Sequence, residues 1–595
     1  MKSVALLTGL LAALGQTQST PDFDWTTLTP STSLSYTNCY DEFKCAKLSV
    51  PLDWLSKSTT NSSSRVTLAI IALPATVAET DPSFGGTIIT NPGGPGGSGV
   101  QFLLEAGKIL QGVADGDKHY EILSFDPRGV GFTEPKADCF NNELSRDINT
   151  IQMRAIGALD DGLDIVRRQT SLFGSVGKLC ADGPDIHGFM STASVARDMV
   201  EIVDKLDELR NANGTAGTAL RARGGIHARQ EKDVARIQYW GFSYGTVLGN
   251  YFASMFPERI GRVILEAVVD VHDYTEGKWS KNLQDTDKDL GTFYSTCFAA
   301  NTSCALYKEG DKSAKDIQSR VDNLLSALDR SPAQYVSGSS AEEITKADAL
   351  VQLFSALYQP QETFPSVAGI IAEAMAGNFS TLYALLGTPT ASQFCPSTVP
   401  KTYTWTLDAE IAVACGDAPS QNNMTEKQFL TYLTEQKSLS PYFAANWVRV
   451  RLACKAWLTR PKYRFTGPFT TPKFVSPPVA GKPAAPLLFI SSEFDPVTPR
   501  ANAVAMSKDH PESSVLTQLN PGHGTITTPG ACRDAWIKKY FATGEVPPQD
   551  TMCEPDCTPF QPCPQGPVVK RSLIPRVPGV AGFERSKKGP LSLDP

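Results

Sequence analysis

Ile237-Gln238-Tyr239-Trp240-Gly241-Phe242-Ser243-Tyr244-Gly245 is the stretch on which the reading of this chain turns. The apolar run at 237–240 predicts a buried strand, and the Gly-x-Ser-x-Gly after it predicts a sharp strand-to-helix turn. Such a turn lifts a serine clear of a sheet, and its glycines let the backbone crowd there without a Cβ clash. The string alone is weak. With Gly and Ser each at about 7% of residues, chance supplies it at about 3 in 10,000 positions. Its weight comes from what surrounds it.

Short apolar runs bounded by Gly and Pro predict further buried parallel strands. They fall at 66–73, 87–90, 120–125, 262–265, 487–491 and 515–519. Helical spacing marks 192–210, where Val195, Met199, Ile202, Val203 and Leu206 share a stripe, and a helix at 532–541 closes the pattern. Residues 211–230 are rich in Gly, Ala and Arg and read as an exposed loop. From 270 to 481 helical patterns dominate, as at 315–328 and 346–357, before Pro-rich 467–486 leads back to strands. The expected architecture is α/β: a mostly parallel central sheet with a large inserted helical cap. The divisions are a core part at 40–269, the cap at 270–481, a second core part at 482–563 and a disordered tail at 564–595.

The chain has 595 residues, too many for one ordinary core. A formal net charge of −7 argues against a nucleic-acid partner, which would need a basic face. Lys2, an apolar 4–14 and small residues Ala13 and Gly15 predict a secretory signal peptide at 1–15, hence an extracellular location. No later run is long enough to span a membrane. Thirteen cysteines then imply disulfides. Local pairs Cys39 with Cys45, Cys297 with Cys304 and Cys557 with Cys563 are the easiest to propose, leaving the others to distant partners. No Cys-x-x-Cys is present, so zinc or redox chemistry is a poor reading. Asn61, Asn213, Asn301, Asn378 and Asn423 sit in N-x-S/T sequons and are candidate glycosylation sites.

Ser243 needs a base, since an alcohol is a poor nucleophile at neutral pH. His523, in Asn520-Pro521-Gly522-His523-Gly524, directly follows a predicted strand. An orienting carboxylate is offered by Asp495, just past strand 487–491, with Glu493 as its rival. Serine, acid, histidine is the chain order of an α/β-hydrolase triad. His510 precedes the last strand and His272 comes too early, while His119, His187 and His227 lack strand-end placement. The oxyanion needs two N–H donors. Tyr244, after the nucleophile, is one; Gly94 in Asn91-Pro92-Gly93-Gly94-Pro95-Gly96-Gly97 is the other, with Gly93 as fallback. That loop lacks the Gly-Lys-Ser/Thr ending of a phosphate cradle. No metal or cofactor is required by this chemistry.

Together, Pro92–Gly96, Asp126-Pro127-Arg128-Gly129-Val130-Gly131, the 241–245 turn, Asp495-Pro496-Val497-Thr498-Pro499 and Gly522-His523-Gly524 resemble the α/β-hydrolases of the proline iminopeptidase and tripeptidyl aminopeptidase group. Residues 532–560 resemble the C-terminal region of its tripeptidyl branch. The resemblance implies the triad Ser243, Asp495 and His523, with the oxyanion held by the 92–96 loop and Tyr244. Glu266-Ala267 stands where that branch usually shows Asp-Gly. An aminopeptidase must also bind a free ammonium, a task for carboxylates. Glu266 and Asp270 are the leading candidates, with Asp273 and Glu276 beside them. The expected activity is a secreted serine exopeptidase releasing short N-terminal pieces from peptides. The alternatives are an esterase, lactonase or amidase on a small molecule, since one triad serves both, and a catalytically dead binding protein.

Overall fold

The computed structural model describes residues 23–56, 64–140, 142–213, 234–337, 340–386 and 403–563. The signal segment, most of the 211–230 loop, the tail, Asn61, His227 and Cys395 lie outside them.

Twelve strands, numbered in chain order, are Thr37–Cys39 (β1), Phe43–Pro51 (β2), Arg65–Leu73 (β3), Phe84–Asn91 (β4), His119–Phe125 (β5), Ile237–Phe242 (β6), Ile260–Glu266 (β7), Ala333–Ser337 (β8), Ser340–Ile344 (β9), Leu488–Phe494 (β10), Ser514–Pro521 (β11) and Thr551–Cys553 (β12). Ten form one sheet in the order β1-β2-β3-β5-β4-β6-β7-β10-β11-β12. β1, β2 and β3 run antiparallel at one side. From β5 to β12 every pairing is parallel. Helices Thr192–Ala212 and Tyr244–Met255 bury their stripes on one face, through Val195, Met199, Val247 and Leu248. Helices Gly99–Ala114 and Ala531–Thr543 cover the other, through Leu103, Leu110, Ile537 and Tyr540. A parallel sheet buried on both faces needs such near-continuous apolar strands.

The expected strands and the α/β class are present, with strand ends shifted by one to three residues. The antiparallel β2 is not among the expected strands. Its Lys44 faces out, whereas Lys47 is buried and reaches Glu134 at 3.6 Å, which hides an otherwise apolar strand from pattern reading. Within 270–481, where helical patterns dominate, the structure adds the β8–β9 hairpin.

The helical layer over the sheet is drawn from two excursions. Helices Glu143–Ile156 and Leu163–Ala181, which follow β5, join those of 270–481. Arg146 bonds Asp408 at 2.9 Å, Arg154 bonds Asp348 at 3.1 Å, and Arg167 bonds Glu426 at 2.8 Å. Among the described residues six disulfides are formed: Cys39–Cys45, Cys139–Cys180, Cys297–Cys304, Cys415–Cys454, Cys532–Cys553 and Cys557–Cys563. The three local pairs are those expected from spacing.

Candidate active site

Ser243 sits between β6 and helix Tyr244–Met255 with φ 54° and ψ −126°. A side-chain-bearing residue in that region is strained, and here the strain aims the serine out of the sheet. Its N–H donates to the Glu266 carbonyl at 3.1 Å. Close packing explains the flanking glycine: a Cβ on Gly245 would stand 2.5 Å from the Asn91 carbonyl oxygen.

The loop after β4 wraps the turn. A Cβ on Gly93 would meet the Ser243 Cβ and the Tyr244 nitrogen, each at 2.8 Å. The Gly93 N–H is already bonded to Asn91 Oδ1 at 3.0 Å. That turns the donor role toward Gly94, which lines the cavity in front of Ser243 together with Tyr244. Tyr244 opens its helix, where first-turn N–H groups have no intrahelical acceptor. Asp126 braces this loop, accepting from Ser98 Oγ at 2.6 Å, Val100 N at 3.0 Å and Phe132 N at 2.7 Å. Arg128, from the same motif, pairs with buried Asp198 at 2.6 Å and is structural.

Asp495 and His523 stand at the ends of β10 and β11 and are buried. His523 Nδ1 is 3.0 Å from both carboxylate oxygens of Asp495. Asp495 also accepts from Val497 N at 3.0 Å, Thr498 N at 2.7 Å and Gly524 N at 2.9 Å. Thr498 Oγ1 lies 3.1 Å from the same Nδ1. The imidazole is thereby held in one orientation, and His523 and Ser243 line one cavity. The rival Glu493 is partly exposed on the strand end, away from this bond network. His510 is buried against Asn250 and Thr471 at 3.1 and 3.2 Å, and burial pushes its pKa down to about 4. His272 pairs with Asp509 at 2.8 Å, and His187 with the Ala137 and Pro184 carbonyls at 3.1 and 3.0 Å. The sulfurs beside His187, those of Cys139 and Cys180, are joined to each other.

The cap closes over this floor. The Tyr358 carbonyl accepts the His523 N–H at 3.1 Å, and the Tyr358 ring meets the imidazole edge-on at 5.0 Å. Tyr274, Trp279, Phe354, Trp447 and Val450 form apolar walls, with Asn282 and Asn446 between them, around a space of about 740 Å³ that includes its mouth.

The two carboxylates expected to bind an ammonium are occupied elsewhere. Glu266 Oε1 accepts from Thr525 N at 2.7 Å, Thr525 Oγ1 at 2.8 Å and Ile526 N at 3.1 Å, while Oε2 accepts from Trp240 Nε1 at 3.0 Å. It ties the histidine loop to the β6 side of the sheet. Asp270 caps helix Val271–Thr275, accepting from His272 and Asp273 N–H groups at 3.0 Å, and pairs with Lys281. Neither lines the cavity. Asp273 bonds Ser280 N at 2.8 Å, and Glu276 pairs with Lys278.

The carboxylate in the wall is Glu410, on cap helix Thr406–Asp417. It is 1% exposed, and neither oxygen has a hydrogen-bond partner among the described residues. Burial pushes its pKa up to about 8, against a partly opposing pull from buried Arg449. A lone acid in the apolar run Ala409-Glu410-Ile411-Ala412-Val413-Ala414-Cys415 is the sequence signal that could have found it. At the end of that helix Asp417 accepts from Thr192 N and Tyr274 OH at 2.9 Å and from Thr192 Oγ1 at 2.5 Å; the same hydroxyl lies 2.5 Å from Tyr244 OH.

The fold is that of the α/β-hydrolases, and Ser243, His523 and Asp495 stand at its strand ends in the arrangement a serine hydrolase uses. The TAP-like protein family matches over residues 440–553. Along most of its length the chain is similar to the serine protease Hip1 of Mycobacterium tuberculosis, 25% identical over 86% of this chain and 87% of that one. It is 25% identical to a tripeptidyl aminopeptidase of Streptomyces lividans over 87% of this chain and 84% of the other. It is also 25% identical to carboxylesterase B of M. tuberculosis over 86% of both. The resemblance is thus to the tripeptidyl-aminopeptidase-like group of α/β-hydrolases.

Proposed function

We propose that the chain is a secreted serine exopeptidase that removes short N-terminal pieces from peptides with a free amine. Ser243 attacks the scissile carbonyl while His523 takes its proton. Asp495 fixes the imidazole tautomer. Gly94 and Tyr244 N–H groups hold the oxyanion, and His523 protonates the leaving amine before water repeats the cycle. The observation that carries the exopeptidase reading is Glu410, a buried carboxyl with no partner, in the wall of the cavity that Ser243 lines. A buried acid kept without a bond partner is costly, and an α-ammonium is the group that would satisfy it. The cap overhead favours short chains. Relatives named as a protease and an aminopeptidase support this reading. Six disulfides and the N-terminal pattern support an extracytoplasmic location. Asn213, Asn301, Asn378 and Asn423 are exposed, as glycan sites must be.

The aromatic wall and the carboxylesterase relative favour the second reading, hydrolysis of a small apolar ester. One panel separates the two. Wild type and Ser243→Ala are assayed on free-amine and N-acetylated tripeptidyl amides and on nitrophenyl esters. Hydrolysis of the free-amine amides, abolished in the variant, is expected. Hydrolysis of esters alone would make the chain an esterase.

A further inference from the structure

We propose that Trp279 is a substrate-binding residue whose indole N–H donates to a main-chain carbonyl of the peptide segment that becomes the acyl group on Ser243. This deepens the peptidase reading and rests on it.

Trp279 lines the cavity with Ser243 and His523. It is 6% exposed, and its Nε1 has no acceptor among the described residues. An indole nitrogen can only donate, and a buried one ordinarily finds a partner. Its neighbours in the same wall have theirs: Trp447 Nε1 bonds the Trp279 carbonyl at 3.3 Å, and Tyr274 OH bonds Asp417 at 2.9 Å.

The backbone points the same way. Trp279 has φ 51°, an outlying conformation for a bulky side chain. Such residues persist only where the surroundings over-determine them, and they gather at binding sites. Here the surroundings are explicit. Tyr432 OH grips the Trp279 carbonyl at 2.8 Å alongside Trp447, and the ring is wedged edge-on between Tyr274 at 5.5 Å and Trp447 at 5.8 Å. The indole is held in a strained pose with an unspent donor.

The chemistry selects the ligand. A neutral, donor-only group matches a neutral acceptor, and the carbonyls of a peptide are the acceptors an acyl segment brings. An acetyl group has no carbonyl except the one under attack. A site built around a buried donor discriminates against a substrate that leaves it unpaired. Trp279 and Glu410 would thus read the same segment, one at a carbonyl and the other at the terminal ammonium.

Trp279→Phe keeps an aromatic ring, smaller than the indole, and removes the donor. The ratio of kcat/KM on a tripeptidyl amide to that on nitrophenyl acetate should fall about 10-fold relative to wild type. Equal losses on both substrates, or no loss, would overturn the proposal. Should the variant not fold, wild type is assayed on tripeptidyl amides carrying one thioamide, a weaker acceptor, at each internal position in turn. A loss of about threefold or more at one position only is expected; uniform or absent losses would overturn it. Peptide hydrolysis that Trp279→Phe leaves untouched removes this inference alone, whereas hydrolysis of esters but of no peptide removes the peptidase reading.

Discussion

Glu410 should set the pH response. With its pKa raised to about 8 by burial, the empty site is neutral at lower pH. An ammonium binds best to the ionised form, and a peptide α-amine titrates near 8. KM for free-amine substrates should therefore fall as pH rises from 6, reach a minimum near 8, and climb as the substrate amine loses its proton. Glu410→Gln should lower kcat/KM on free-amine amides by about 10- to 150-fold, spare N-acetylated ones, and remove the falling limb. The sign for stability is opposite. A carboxyl whose folded pKa is raised stabilises fully below its unfolded pKa near 4.3, and that contribution is lost as pH rises toward 8. The Tm of Glu410→Gln minus that of wild type should grow across this interval in thermal scans; a flat difference would show that Glu410 is charged in the folded state throughout.

At this scale the sequence pointed to residues that the fold gathers in and behind one cavity, but not to the other polar groups of its wall. Ser243, Asp495 and His523 are marked by local glycines, prolines and strand ends, which are short-range signals. Glu266, at the end of β7, and Asp270, just beyond it, stand where a cleft is expected. Only the fold reveals that Thr525, Ile526 and Trp240 consume one and Lys281 the other. Trp279 gains meaning from a missing acceptor, which no linear pattern records, whereas Glu410 left one trace, a lone acid in an apolar helix.

Helix Thr406–Asp417 serves two ends of the cavity. Glu410 faces the space, and Asp417, through Thr192, braces the hydroxyl of Tyr244, the residue whose backbone N–H is the proposed oxyanion donor. The two positions should give different kinetic signatures. Asp417→Asn should lower kcat about 10-fold on amides and esters alike, because a misplaced oxyanion donor costs every substrate. Burial holds Asp417 near pKa 6 against its hydrogen bonds, so wild type should lose this support below that pH. A substrate-selective effect of Asp417→Asn would place it with Glu410 instead. Elements of the core were readable because their apolar runs are continuous; cap helices were readable in kind but not in seat. Nothing in 143–181 announces that it joins a layer 90 residues further on, since the ties are single pairs such as Arg146 with Asp408.

Taken as a whole, the molecule distributes its disulfides evenly. Cys139–Cys180 and Cys415–Cys454 close spans of 41 and 39 residues within the helical layer. Chain-entropy reasoning gives about 4 kcal/mol for each. Cys415→Ser with Cys454→Ser should lower the melting temperature of the cap and weaken free-amine preference first, since this bridge fixes the helix that carries Glu410. Differential scanning calorimetry would check the first statement and the ratio of kcat/KM on free-amine to N-acetylated amides the second; an unchanged thermogram or ratio would contradict them.

Gly96 has a meaning of its own. A Cβ there would stand 2.8 Å from the Thr406 carbonyl oxygen and 3.0 Å from the Glu410 nitrogen. The glycine-rich loop thus answers to two masters: its first half to the reaction, its second to the roof resting on it. A lineage that redesigned its roof would lift the crowding at position 96 but not its φ of 92°, which asks for glycine by itself. A side chain there would therefore unseat the lid before it touched the ability to cleave.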